Sequence, residues 1–129
     1  MPRRKSIDIE GFSHGKQPIP AASRVGNILV TGGVYGLDTG SGEIPDDADR
    51  QCEFMFANLK AILEAGGASL ESVVKMTFWV KNTDARQEIN PLWLKAFPDP
   101  DSRPARHTLL NPDLPLNLVL QCDAIAVIL

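Results

Sequence analysis

The sequence predicts an α+β fold in which one mixed β-sheet carries two helices on a single face. Two segments, residues 47–65 and 89–97, repeat apolar side chains at helical spacing. The other apolar segments alternate with period two or form short buried-type runs, so the elements follow in the order β-β-α-β-α-β-β. The length of 129 residues fits one domain, residues 1–129, large enough to bury a core.

Ser6 to Ile9 alternates Ile7 and Ile9 with Ser6 and Asp8, a short strand. Gly11 to Arg24 holds Gly11, Gly15, Pro18 and Pro20 without a period and reads as loop. Asn27 to Thr31 is a buried-type strand ending at Gly32-Gly33. Paired glycines at a strand end mark a bulge or a close backbone approach as readily as a simple turn. Asp38 to Gly42 is a turn cluster.

In the first helix Cys52, Met55, Phe56, Leu59, Ile62 and Leu63 share a face opposite Arg50, Glu53 and Lys60. Asp46 or Asp47 is placed to cap its start, and Gly66-Gly67 to stop it. Val73 to Lys81 is a strand whose residues Val74, Met76, Phe78 and Val80 should lie under the helices. The second helix shows Ile89, Leu92, Trp93, Ala96 and Phe97 on one face. Pro91 either kinks it or lets Asn90 cap a fresh start. Pro98 to Pro104 is loop, and Ala105 to Leu110 a strand with Arg106, Thr108 and Leu110 on one side. Leu116 to Ile128 is the last strand, apolar at every even position.

Two helices cover one sheet face. The other carries Trp79, Val119, Ile125 and Val127 among polar residues, too apolar for water, so a second subunit is expected to cover it. The net charge of −3 opposes a polyanionic partner, which makes nucleic acid an unfavoured ligand. The lack of a His-His or His-Lys pair argues the same way against a nuclease. Arg3, Arg4 and Lys5 are followed by an alternating acidic stretch rather than an apolar signal core, and no run reaches the ~20 apolar residues of a membrane span. Cys52 and Cys122, far apart, read as reduced buried thiols of a cytoplasmic protein. With His14 and His107 they form no metal-ligand spacing, so neither a metal nor an organic cofactor is expected.

Three blocks together resemble the YjgF/RidA family, also labelled the endoribonuclease L-PSP family. They are Pro18-Ile19-Pro20 with Val25 to Gly33, then Asn58 to Thr77, then Pro104-Ala105-Arg106-His107-Thr108. The resemblance runs from about Ile7 to Val127. It implies a chorismate-mutase-like fold packed as a homotrimer, sheets inside and helices outside, with ligand clefts between subunits. It also implies hydrolysis of 2-imino or enamine carboxylic acids to keto acids and ammonia.

By that resemblance Arg106 anchors the substrate carboxylate, for which a planar guanidinium is suited by its two parallel N–H donors. An interfacial salt bridge is its structural alternative. Thr108 would offer a backbone carbonyl to the substrate nitrogen, and Asn90 would line the cleft, where a helix cap is the other reading. Gln121 stands where deaminating members carry a water-orienting glutamate. An amide positions water but takes no proton. Asp123, on the same sheet face, is a candidate substitute. Gly32 replaces the family's serine beside Gly33, Ile19 replaces its loop tyrosine, and Tyr35 is placed to supply a phenol from nearby. The anchor is retained while much of the polar lining is changed, which points to an altered substrate or a weaker enzyme rather than to loss of all function. The alternatives are an aminomuconate-type enamine deaminase and a non-catalytic carboxylate-binding member.

Overall fold

A computed structural model describes residues 3–129. The fold is α+β, a seven-stranded mixed sheet with two α-helices. The strands are β1 (Lys5–Ile7), β2 (Ala22–Val25), β3 (Ile28–Thr31), β4 (Val34–Tyr35), β5 (Val73–Val80), β6 (Ala105–Leu110) and β7 (Leu120–Val127). The helices are α1 (Ala48–Ala65) and α2 (Ile89–Ala96). Strand order is β1-β2-β3-β7-β5-β6, with β4 also on β7. β5 and β6 run parallel, joined through α2, while the other pairings are antiparallel.

The apolar face of α1 is buried as the periodicity requires, with Cys52, Met55, Leu59, Ile62 and Leu63 fully covered. Beneath it lie Leu29, Met76, Phe78, Val80, Leu120, Cys122 and Ala126 from the sheet, each also without exposed surface. Three polar residues share this interior and are satisfied there, Thr31 by accepting the Ala124 N–H on its Oγ1. Asn58 Nδ2 donates to the carbonyls of Tyr35 and Leu37, and Gln51 Nε2 to those of Pro45 and Asn117. They hold the segments flanking α1 by backbone groups that no strand pairs. Asp47 occupies the position before α1 without a side-chain cap bond, and Gly67, at φ +85°, supplies the left-handed stop.

Three sequence expectations change, and one open alternative is resolved. Residues 22–24 of the expected loop, with Val25, form β2, whose short Ala-Ser-Arg-Val run gives no alternation signal. Gly32 and Gly33 sit in a bulge rather than a simple turn. The register on β7 shifts by one residue between Val30↔Ile125 and Val34↔Cys122, and the chain continues as β4. A second register shift between Val73 and Lys75 reverses the start of β5, so Val73 is buried and Val74 half exposed. The last strand begins at Leu120, not Leu116, because Leu116 takes a left-handed φ of 56°. Both cysteines are buried free thiols. Among the described residues no helix is long and apolar enough to cross a membrane.

Candidate active site

Arg106 sits on β6, the edge strand, and alternation turns it toward the helices with Thr108. Its guanidinium carbon lies 5.2 Å from the Phe78 ring centre and 5.0 Å from that of Trp93. These two rings meet edge-on, so the cation rests on a rigid aromatic floor. Nε donates to Thr108 Oγ1 at 3.0 Å and Nη1 to Asn90 Oδ1 at 2.8 Å. Both partners are neutral oxygens, so these bonds orient the fork without neutralising it. Burial first, and the positive charge of Arg86 second, hold Arg106 below the ordinary arginine pKa.

Asn90 does not cap a helix. A 3-10 turn, Ala85–Glu88, leads directly into α2, and Pro91 falls in the first helical turn, where a missing N–H leaves no helical bond unmade. The Asn90 side chain is thereby free to face Arg106. Thr108 contributes its hydroxyl, and its carbonyl oxygen accepts a long 3.5 Å contact from Arg86 Nη2. Arg103, the neighbouring arginine, is spent on the Phe97 and Pro98 carbonyls of its own loop.

The other candidates gather around the bulge. A side-chain carbon at Gly33 would fall 2.6 Å from Gln121 Nε2, so the glycine lets the amide lie directly against the backbone. His14 Nε2 lies 2.7 Å from the Gly33 carbonyl, and only a protonated nitrogen can donate there. Its Nδ1 is buried and finds no partner among the described residues. Sequence reading missed His14, a lone histidine in an aperiodic loop. Phe12, His14 and Tyr35 stack as one aromatic group, and the Tyr35 hydroxyl donates to the Ser13 carbonyl. Partial burial raises the Tyr35 pKa, so this phenol stays protonated and committed to that bond. Ile19 is 54% exposed in the same loop, and the carbonyls of Pro20 and Ala21 border Gly32.

These two groups do not meet within one chain. Gln121 pairs with Trp79 on the face away from the helices, whereas Arg106 pairs with Met76 on the helix face of a strand two positions away. Two surface cavities, of about 710 and 670 Å³, are lined by other residues and reach neither Arg106 nor Gln121. Asp123, the candidate substitute for a carboxylate at position 121, accepts the Trp79 indole N–H at 3.0 Å. The open face also corrects one expectation. A His-Lys pair does exist, because parallel pairing of β5 with β6 brings Lys75 Nζ to 2.8 Å from His107 Nδ1.

The profile of the family described as endoribonuclease L-PSP matches residues 16–128, nearly the whole described chain. The chain belongs to this family. It is 34% identical over 110 residues to a RutC family protein of Pyrococcus abyssi, covering 84% of this chain and 85% of that protein. It is 29% identical over 124 residues to the 2-iminobutanoate/2-iminopropanoate deaminase of Escherichia coli K12, covering 95% and 97%. Among solved structures, E. coli TdcF with bound serine superposes with a TM-score of 0.86 at 27% identity, over 95% of this chain and 98% of that one. Imine deaminases thus stand among the relatives of this L-PSP member.

Proposed function

We propose that the protein hydrolyses small 2-imino or enamine carboxylic acids to keto acids and ammonia, in clefts completed between the subunits of a homotrimer. Arg106 carries the reading, as a cation fixed by two neutral oxygens on an aromatic floor and not neutralised by a carboxylate in those contacts. Such a group suits a carboxylate-bearing ligand. The relative named for 2-iminobutanoate and 2-iminopropanoate supports the reaction class.

In the reaction, a water oxygen bonds to the imine carbon as the C=N π pair moves to nitrogen. The water's protons pass to nitrogen, and the C–N bond then breaks to leave a carbonyl and ammonia. Gln121 can aim that water by hydrogen bonding but cannot hold its proton, so transfer runs to the substrate nitrogen itself. Since one chain keeps Arg106 and Gln121 on opposite sheet faces, a neighbouring copy supplies the Gln121 wall to each Arg106. The open face, with Ile28, Val30, Leu109 and Ile125 each more than 40% exposed, is the surface that this assembly covers.

Gln121 favours one second reading, a member that binds carboxylates without turning them over. Ammonia release from 2-iminobutanoate generated in situ distinguishes the two. Turnover above the uncatalysed rate supports the deaminase, and saturable binding of 2-oxobutanoate without turnover supports the binder.

A further inference from the structure

Arg106 is not the only cation at its end of the sheet. Arg86, on the 3-10 turn before α2, directs Nη2 toward the Thr108 carbonyl, while Arg106 Nε bonds the hydroxyl of the same residue. Two guanidiniums therefore flank Thr108, and their described bonds all go to neutral oxygens. Glu88 lies two residues from Arg86 on the same turn, yet Arg86 turns to the Thr108 carbonyl instead. Among the described residues neither guanidinium bonds a carboxylate, and the positive charge of Arg86 acts, after burial, to lower the Arg106 pKa. A ligand with one carboxylate balances one of the two charges.

We infer that the substrate carries a second acidic group, so that Arg106 and Arg86 together bind a dicarboxylic imine or enamine, with Arg86 as the specificity-determining residue. This rests on the proposed hydrolysis and deepens it. Arg86 is exposed, on the solvent side of the pair, so it meets the distal carboxylate while half-buried Arg106 holds the one next to the reacting carbon. A distal carboxylate would exchange hydration of exposed Arg86 for a paired contact, which a neutral or apolar tail cannot offer.

The test compares kcat/KM for ammonia release from 2-iminosuccinate or 2-iminoglutarate with that from 2-iminobutanoate, each made in situ by an amino-acid oxidase. The wild-type protein should prefer the diacids. Arg86→Gln should lower the diacid-to-monoacid ratio about tenfold, equivalent to ~1.4 kcal/mol, and Arg86→Lys should retain most of it. A ratio unaffected by Arg86→Gln, with monoacid turnover intact, overturns this inference and leaves the hydrolysis reading standing. If neither imine is hydrolysed, the hydrolysis reading fails and calorimetry with 2-oxoglutarate and 2-oxobutanoate decides the inference. Diacid preference lost in Arg86→Gln supports it, and an unaltered or absent preference overturns it. A changed assembly mass in light scattering with an unchanged ratio makes Arg86 an interface residue and also overturns it.

Discussion

Replacing Gly33 with alanine separates the fold from the chemistry. The added carbon would fall 2.6 Å from Gln121 Nε2, 2.9 Å from Cδ and 3.4 Å from Oε1, all atoms of one flexible side chain. Gly33 does not have a left-handed φ, so alanine fits its backbone. Gln121 is half-buried and can turn away, at a cost of about 0.5–1.5 kcal/mol for a displaced rotamer. Restricting the unfolded chain returns about 0.4–1 kcal/mol. Stability of Gly33→Ala should therefore stay within about 1 kcal/mol of wild type. The amide, however, moves by an ångström or more, a misplacement that costs on the order of 100-fold in rate. Ammonia release should thus fall about 10- to 100-fold while the thermal melt hardly moves. Gly36→Ala is the contrast, because its added carbon would meet the Gln51 carbonyl oxygen at 2.2 Å, backbone that α1 holds in place. That variant should lose about 3 kcal/mol or fail to fold. A Gly33→Ala protein with both melt and turnover intact would remove Gln121 from the reaction.

Gln121→Glu supplies a carboxylate at the same point, so turnover of small imines should rise; an unchanged rate would show that proton transfer does not limit the reaction. Trp79→Asp sets a second carboxylate beside Asp123 on the open face, and light scattering should then show mass shifting from the proposed trimer toward the 14.1 kDa chain. An unaltered mass would exclude this part of the sheet from the interface. Burial pushes Cys52 up to about 12 and Cys122 well above the ordinary thiol value of 9.0. Both should resist a thiol reagent at pH 8 until the protein is denatured. As pH rises above 9 the unfolded chain releases these protons first, so stability should decline through the folded value near 12, and a flat profile would contradict the assignment.

Much of this architecture is legible in the residues. The face of α1 and the core positions 76, 78 and 80 follow from periodicity, because each is set by burial on one side of a regular element. What escaped depends on irregular backbone or on pairing between distant segments. The reversal at Val73 breaks period two at a single residue, where alternation carries no signal, whereas the paired glycines do flag the bulge at Gly32-Gly33 as one option. β2 is visible only through its partner strands, since Ala22-Ser23-Arg24-Val25 has almost no apolar contrast. At the candidate site, Arg106 is legible by resemblance, but its bond to Asn90 and the approach of Arg86 to the Thr108 carbonyl require knowing that a 3-10 turn runs into α2 before Pro91. His14 and the Lys75–His107 pair needed a loop path and a strand register, respectively.

Arg106 remains the centre of the account, and its removal is the most direct test. Losing one partner of a desolvated charged contact costs on the order of 2–5 kcal/mol, so Arg106→Ala should bring ammonia release from 2-iminobutanoate to background and abolish 2-oxobutanoate binding. Arg106→Lys should recover little, because one ammonium cannot match the planar fork that Thr108 and Asn90 orient. The proposed trimer should persist in the same sample by light scattering. Full activity in Arg106→Ala would contradict the mechanism, and dissociation into monomers would make Arg106 a structural residue instead.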